Sequence, residues 1–271
     1  KIFSWLISSL IKSLFFFRFK FVPEFKFKNS TWYSFVDTNF AEEVKHKIEF
    51  NSPVTQIDYS KDQVDVVTKS GQVYKADKVL VTASIGILKS KYINFVPDMS
   101  KEKQNVIESL TFMPGFKLVL KFSEKFYSDI IMCKAKTGEK GYYDMAFKKD
   151  SKNHILGLLI QGSGVEDFYC LESEEQIVLK ALEELDKIYE GKASKTYTGE
   201  YVFEDWGRHE FTLGTWIESF QINQSIIQKL NEPLNGKVFF AGELYDLHHQ
   251  LGVPGAIVSG YHSIDKLLTN L

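Results

Sequence analysis

Four short apolar runs between residues 54 and 82 have the length and spacing of β-strands. The runs cover residues 54–59, 64–68, 73–76 and 78–82. A Lys-Ser-Gly sequence at 69–71 separates the second run from the third, which is typical of a hairpin turn. The last run holds Val-Leu-Val at 79–81, as expected for a strand buried on both faces. The pattern predicts a three-stranded meander that leads into a buried strand.

Helical spacing of apolar residues appears in four other places. Helices are predicted over 37–48, with Phe40, Val44 and Ile48 facing inward, over 100–110 and over 173–189. Ser173 and Gln176 have the spacing of a capping box, and Gly191 follows the end of that helix. A fourth helix is opened by Pro254, at the position where proline costs least. Further strands are predicted at 116–122, 155–160 and 237–241.

The order of these elements is sheet, then a long mixed block, then sheet and helix. This order predicts a mixed α/β and α+β fold with two interleaved domains. Residues 30–84 and 232–271 would form one domain, and residues 85–231 the other.

The first 29 residues form a separate apolar segment. Residues 2–17 are apolar apart from four serines and Lys12, and basic residues follow from Arg18 onward. A signal peptide would need a small-residue cleavage site, which does not follow, and Lys12 interrupts the length that a membrane span needs. We favour a buried or interface helix with residues 3, 6, 7, 10, 11 and 14 on one face. The start at Lys1 favours a processed chain or a fragment of a longer one.

Composition narrows the classes of protein. The 33 basic and 35 acidic residues nearly balance, so a nucleic-acid-binding protein is not indicated. Two cysteines, Cys133 and Cys170, provide no disulfide framework and no zinc cluster, and no metal site is predicted. An intracellular compartment fits this cysteine usage, although the compartment itself stays open.

Three segments together resemble the flavin amine oxidase superfamily, which includes polyamine oxidases, monoamine oxidases, L-amino-acid oxidases and flavin-dependent lysine demethylases. The segments are VTQIDYSKDQVDVVTKSGQVYKADKVLVTASIGILK at 54–89, FMPGFKLVLKFSEKF at 112–126, and a third that runs from WGRHEFTLGTW at 206–216 through VFFAGE at 238–243 to GVPGAIVSG at 252–260. The similarity spans roughly residues 32–271, and the order and spacing of the motifs carry it.

The resemblance implies a partial FAD-binding, Rossmann-like domain and a substrate domain with a mixed sheet and helices. It implies oxidation of a C–N bond in an amine, with hydride passing to the flavin and oxygen reoxidising it to release hydrogen peroxide. The implied partners are an amine substrate and a chain, or a larger assembly, that supplies the missing N-terminal half.

The cofactor-binding residues implied by the resemblance are Val54, Thr82, Trp206, Gly242, Glu243, Gly252, Val253 and Gly255. A helix start at Val253–Gly255 would offer unpaired N–H groups and positive partial charge to reduced flavin. Gly242 would let the backbone approach the pyrophosphate, and Glu243 would bind near the ribityl chain. The alternatives are an ordinary proline-opened helix for the first site and a solvated or capping carboxylate for Glu243.

Lys117 is the candidate catalytic residue. It lies among apolar residues in FKLVLKF, where an ammonium group needs a partner or a cavity. The matching lysine in the family holds a water at the flavin. The alternative is a surface lysine like Lys121, which falls on the same face of a regular strand.

Trp206, Phe211 and Trp216 recur every five residues. The resemblance places Phe211 and Trp216 in an aromatic cage for the amine. The alternative for all three is core packing, which we favour for Trp206.

Several positions depart from the family pattern. The second cage wall falls at Gly252, Ser84 stands where the family has a proline, and no cysteine follows Cys170 to form a thioether, so any FAD would be non-covalent. No G-x-G-x-x-G occurs in the sequence. Gly162-Ser163-Gly164 begins such a pattern, but Asp167 stands where the third glycine would be, so we predict a loop there. We therefore expect the half that holds the ADP moiety to be missing, and FAD to bind weakly or not at all to this chain alone. Two functions stay open: an amine oxidase once complemented, or a non-catalytic structural or interaction subunit.

Overall fold

The computed structural model describes residues 27–134, 139–217, 221–249 and 251–269. The predicted N-terminal helix within 1–29 lies outside these residues, apart from three non-helical positions at its end. The chain divides into two compact units. One comprises Lys1–Lys47 and Lys148–Asp150, and the other comprises Ile48–Phe147 and Ser151–Leu271.

The described part of the smaller unit is a short helical segment. Helix α1 covers Trp32–Val36, and Thr31 caps it by accepting the backbone N–H of Ser34 at 3.0 Å. A π-helical turn at Asp37–Ala41 follows, then a 3₁₀ turn at Lys45–Lys47. The prediction of one helix over 37–48 with Phe40, Val44 and Ile48 facing inward is wrong, because all three side chains are exposed. The π turn breaks the 3.6-residue period on which that prediction rested.

Thirteen strands and seven further helices are found in the described residues of the larger unit. The strands are β1 (Val54–Asp58), β2 (Val64–Thr68), β3 (Val73–Ala76), β4 (Val79–Val81), β5 (Asn94–Val96), β6 (Phe112–Met113), β7 (Gly115–Phe122), β8 (Ile130–Lys134), β9 (Glu139–Asp144), β10 (His154–Gln161), β11 (Tyr197–Asp205), β12 (Trp216–Ile217) and β13 (Val238–Phe240). The helices are α2 (Ile85–Ser90), α3 (Lys101–Ser109), α4 (Glu166–Tyr169), α5 (Glu174–Tyr189), α6 (Lys192–Thr196), α7 (Gln224–Leu230) and α8 (Val253–Thr269). The loop predicted at 162–164 forms a 3₁₀ turn, Gly162–Val165.

The predicted meander is present as strands β1 to β3. These strands pair antiparallel in the order β3-β2-β1, and β5 extends the sheet by pairing parallel to β1. The turn between β2 and β3 places Gly71 at φ +86°, in the left-handed region where glycine is favoured. The local spacing of turn residues and apolar runs was therefore enough to predict this hairpin.

Strands β4 and β13 form a separate parallel pair. Val79 lies opposite Val238, and Val81 opposite Phe240, so the carboxyl ends of the two strands meet at one edge. Helix α8 is fastened to this edge by Ser263, whose hydroxyl donates to the Phe240 carbonyl oxygen at 2.7 Å. The assignment of 30–84 and 232–271 to one domain stays a prediction.

The largest sheet has five antiparallel strands in the order β11-β7-β10-β9-β8. Alternate residues of β7 are buried on one face, namely Phe116, Leu118, Leu120 and Phe122. That face packs in one hydrophobic cluster with the apolar stripe of α5, which includes Ala181 and Leu185. The other face of β7 carries Lys117, Val119 and Lys121.

A second hydrophobic cluster joins the meander, the β4–β13 pair and the helices α2, α3 and α7. Its members come from both predicted domains, since Ile57 and Phe240 pack in the same cluster as Ile107 and Leu230. The fold is thus a mixed α/β and α+β arrangement with several sheets. Among the helices that the structure describes, none combines the length and apolar character that a membrane crossing requires.

Candidate functional site

A first cavity, of about 580 Å³, lies where the meander meets β4. Val54 and Thr82, both predicted to bind the cofactor, contribute to its wall. Phe211 lines it as well and contacts Tyr92 edge to face, with ring centroids 5.9 Å apart. The predicted cage residue Phe211 is therefore placed in this first cavity, whereas Trp216 lies in a second one.

The second cavity, of about 600 Å³, brings most of the predicted site residues together. Lys117, Trp206, Trp216, Gly242 and Glu243 all line it. They come from β7, from the segment after β11, from β12 and from the end of β13, so four separate stretches of the chain build one wall. This convergence is the central observation on the site.

The two cavities share two lining residues. Thr82 and Ala83, which follow β4, line both of them. The carboxyl ends of β4 and β13 face the same edge because the strands are parallel, and ligands of open α/β sheets bind outside such ends. The two cavities therefore flank the edge at which a ligand of this sheet is expected.

Glu243 carries an unsatisfied polar atom in the second cavity. Its Oε2 is buried and has no hydrogen-bond partner among the described residues. Burial raises the pKa of the Glu243 carboxyl to about 7, against an opposing backbone hydrogen bond from Leu251. A buried polar atom without a partner is costly, so this oxygen is placed to accept a hydrogen bond from a bound molecule.

Lys117 lies on the less buried face of β7 and lines the second cavity. Leu159 of β10 lies beside it in register, and its Nζ is 5.7 Å from the centre of the Tyr143 ring. Its ammonium forms no hydrogen bond or ion pair within the part of the chain that the structure describes. Lys121, on the same face, is instead bound to the Glu200 carboxylate at 2.8 Å. The two lysines thus have different surroundings despite their even spacing.

Trp206 and Trp216 are held in place by hydrogen bonds to the main chain and by strand pairing. Thr212 donates its hydroxyl to the Trp206 carbonyl oxygen at 2.7 Å, and the Gly214 N–H donates to the same oxygen at 2.9 Å. Trp216 is placed by the pairing of β12 with β6, where it lies opposite Met113. Both indoles are half-buried and line the cavity rather than the hydrophobic clusters.

The start of α8 contributes in a different way from the prediction. Gly252, Val253 and Gly255 are not among the residues that line either cavity. The next turn of the helix supplies Ala256 and Gly260 to the second cavity, and a Cβ built on Gly260 meets open space. Two small residues of this helix therefore face the cavity.

Several residues of the site were missed at the sequence level. Tyr245 lines the second cavity, and its ring stacks on Phe240 at 6.4 Å between centroids. Phe112 lines the cavity next to Gly214. Aromatic residues near a motif are common in any core, so no signal in the sequence separates these two from packing residues. Among the described residues, no group of three or more His, Cys, Asp or Glu side chains could hold a metal ion.

Comparison with known proteins identifies the family of the chain. The family model for flavin containing amine oxidoreductases matches residues 6–266. The chain therefore belongs to the flavin-containing amine oxidoreductase family, for which a FAD-type cofactor is characteristic.

Individual relatives are distant and longer. Over 230 residues the chain is 28% identical to lysine-specific histone demethylase 1B of Mus musculus, covering 81% of this chain and 27% of that protein. It is 28% identical to polyamine oxidase 1 of Zea mays over 241 residues, covering 86% of this chain and 47% of that protein. The chain thus spans less than half the length of these two relatives.

A solved structure shares the fold. Cyclohexylamine oxidase from Brevibacterium oxydans IH-35A superposes with a TM-score of 0.67 at 17% sequence identity. The match covers 84% of this chain and 51% of that one. A sequence identity of 17% supports a shared fold only. The chemistry of this chain has to be argued from its own site residues.

Proposed function

We propose that this chain is the substrate-facing part of a flavin-dependent amine oxidase, which oxidises the C–N bond of an amine. The observation that carries the proposal is the convergence of Lys117, Trp206, Trp216, Gly242 and Glu243 on one cavity. When bound, FAD would supply the acceptor for the hydride that leaves the carbon next to the amine nitrogen, with oxygen as the final acceptor.

The residues present fit the ring and ribityl part of such a cofactor. The unsatisfied Oε2 of Glu243 suits a hydroxyl or N–H donor. Gly242 leaves the strand end without a side chain, and its N–H and carbonyl are both held by the Ser259 hydroxyl, at 3.0 and 2.8 Å. The lining of the cavity is otherwise mostly apolar, as expected for a site that shelters a flat ring from water.

Lys117 would hold a water molecule or oxygen close to the reacting centre. Its free ammonium offers three N–H donors inside the cavity, and the Tyr143 ring keeps the side chain in place. Positive charge at this point stabilises negative charge that develops during reoxidation.

Trp206 and Trp216 would orient the amine. Their indole faces attract an ammonium group on arrival and exclude water from the neutral amine that reacts. No general base is required, because a neutral amine donates hydride directly. The shortage of acid–base motifs in the chain is therefore compatible with the proposed chemistry.

A second candidate is a non-catalytic subunit that keeps the oxidase fold. Gly252 supports it, because the family's second aromatic wall falls on a residue without a side chain.

Anaerobic flavin reduction separates the two candidates. The purified chain is saturated with FAD at high concentration and mixed with a panel of primary, secondary and polyamine substrates while the visible flavin bands are recorded. An oxidase bleaches these bands with at least one amine and releases hydrogen peroxide when oxygen is admitted. A perturbed flavin spectrum that no amine bleaches supports the subunit. An unperturbed spectrum at every FAD concentration contradicts the assignment of the second cavity as a flavin site of this chain alone.

A further inference from the structure

A fully buried lysine lies behind the cavity rather than in it. Lys103, on α3, is 1% exposed. Its Nζ donates to the carbonyl oxygens of Lys229 at 3.2 Å, Leu230 at 2.6 Å and Glu232 at 2.8 Å. An ammonium group has three N–H donors, and each has an acceptor here. Burial lowers the pKa of Lys103 to about 7, and loss of the proton would leave one of the three carbonyls unpaired.

These carbonyls belong to the end of α7 and the residues after it. The last carbonyl groups of a helix have no partner inside the helix and carry negative partial charge. A cation placed on them fixes both their position and the course of the chain that follows. Lys103 therefore contacts three carbonyl groups within residues 229–232.

Asn231, inside this stretch, reaches the cavity wall. Its Nδ2 donates to the carbonyl oxygen of Tyr245 at 2.9 Å and to that of Ile227 at 3.0 Å. Tyr245 lines the cavity two residues after Glu243 and closes a turn through its N–H to the Gly242 carbonyl oxygen at 3.1 Å. The end of α7 is thus connected to the turn that presents Glu243.

A second contact from the same ammonium leads to the same turn. The Nζ of Lys103 lies 4.1 Å from the centre of the Phe240 ring, at the end of β13. Phe240 in turn stacks on Tyr245, with an angle of 10° between the rings. Two independent contacts from one buried cation therefore converge on Tyr245.

We propose that Lys103 is a positioning residue for the candidate site, acting through Asn231 and Phe240 to hold the turn Gly242–Tyr245 against the cavity. The importance of this turn for flavin rests on the proposed function, whereas its geometry is measured without flavin or amine. A failure of the oxidase proposal therefore leaves the positioning role testable by itself.

Hydrogen exchange of the chain without cofactor provides the test. In Lys103→Met, an apolar side chain of similar length removes the charge while keeping the volume. We expect exchange in peptides covering 241–247 to accelerate by on the order of tenfold or more, since each tenfold step corresponds to the loss of about one buried hydrogen bond. Peptides covering 115–122 and 154–161 should keep their protection.

Two further variants make the result specific. Lys140→Met is the matched control, because Lys140 is 4% exposed and its ammonium pairs with Glu184 on α5, the helix that packs in the other hydrophobic cluster. It should leave 241–247 unchanged. Asn231→Ala removes the connection to Tyr245 and the side-chain hydrogen bond to the Ile227 carbonyl oxygen, which still accepts the backbone N–H of residue 231. It should accelerate 241–247 while the end of α7 keeps most of its protection.

Equal acceleration in all peptides of Lys103→Met would show a general loss of stability and overturn the positioning role. Unchanged exchange at 241–247 in both Lys103→Met and Asn231→Ala would overturn it as well. If Lys103→Met does not fold, Asn231→Ala alone decides, because that residue carries no buried charge.

Discussion

The hydroxyl of Ser84 donates a 2.6 Å hydrogen bond to the carbonyl oxygen of Thr212, 128 residues further along the chain. The same hydroxyl oxygen accepts the backbone N–H of Ile87 at 3.2 Å and so caps α2. One side chain therefore joins the start of a helix beside β4 to the segment that carries Trp206 and Trp216. The residue departs from the family's proline, which has no side-chain donor for this contact.

Ser84→Ala should lower the free energy of unfolding by about 1 to 2 kcal/mol, because it removes a helix cap and leaves the Thr212 carbonyl oxygen without this donor. Urea unfolding measures the change. Ser109→Ala is the control, since its exposed hydroxyl donates to the Val106 carbonyl oxygen of its own helix, at 2.8 Å. Equal losses in both variants would contradict the role of Ser84.

Glu243 should make stability depend on pH. Its pKa of about 7 lies above the ordinary value of 4.5, so the folded chain holds this proton more tightly than the unfolded chain. The free energy of unfolding should therefore fall as pH rises from 4.5 to 7 and stay low above that range. Glu243→Gln should remove this fall. The free energy of unfolding of the variant, relative to that of the wild type, should therefore be about 2 kcal/mol higher at pH 8 than at pH 4.

Urea titrations at a series of pH values test this expectation. Glu200→Gln is the control, because that carboxylate is exposed and paired with Lys121. Parallel stability curves for the wild type and Glu243→Gln would show that the carboxyl is ionised without cost in the fold.

Lys117 and Lys121 offer a matched pair on one face of β7. If the chain is active with FAD, Lys117→Met should slow flavin reduction or reoxidation by on the order of 10² to 10⁴, while FAD stays bound. Lys121→Met should leave both rates unchanged, since its ammonium binds Glu200 outside the cavity. Stopped-flow absorbance measures both steps. Equal rates in the two variants would show that Lys117 is an ordinary surface lysine without a catalytic role.

The affinity of the isolated chain for FAD should be weaker than about 1 µM. The cavities provide walls for the ring and its neighbours, but the 271 residues contain no glycine-rich turn of the dinucleotide type for the pyrophosphate. Quenching of flavin fluorescence during titration measures the constant. Sub-micromolar binding would contradict the expectation and show that the pyrophosphate is held by other groups.

Two glycines of the cavity should respond in opposite ways to alanine. A Cβ on Gly214 would lie 2.2 Å from a carbon of the Phe112 ring, so Gly214→Ala must displace the ring and should cost about 2 to 3 kcal/mol. Gly260 lies in α8, and a Cβ built on it meets open space. Gly260→Ala should therefore raise the free energy of unfolding by about 0.5 to 1 kcal/mol, because alanine favours the helix more than glycine does. Thermal unfolding measures both, and destabilisation by Gly260→Ala would show that the cavity is narrower than described.

The sequence predicts best those elements that are determined by neighbouring residues. The hairpin at 64–76 and helix α5 follow from turn residues, a Ser173 cap and a sustained apolar period, and the structure confirms them. Strand β8 was missed because two of its apolar residues, Ile130 and Met132, are 69% and 64% exposed, so apolar and polar residues do not alternate along it. Helix α7 was missed because it is short, although Asn223 before it gives a capping signal, accepting the N–H of Ile226 at 3.1 Å.

The candidate site was only partly predictable for a similar reason. Motifs indicate which residues matter, and the placement of Lys117, Trp216 and Glu243 in one cavity is consistent with them. Contacts such as those of Lys103 and Ser84 join residues 126 to 129 positions apart, and a single sequence carries no pairing information over that distance. Tyr245 and Phe112 were missed because an aromatic residue that lines a cavity has the same sequence pattern as one that packs in a core.

The parallel pairing of β4 with β13 also has a consequence for biosynthesis. Val79 and its partner Val238 are about 160 residues apart, so at roughly 5 to 20 residues per second the ribosome makes β4 some 8 to 30 s before its partner. The antiparallel sheet between them has all its strands available earlier. During that interval the apolar strand 79–81 is without its partner β13, and the second cavity, which Gly242 and Glu243 line, forms only after these two residues have left the exit tunnel.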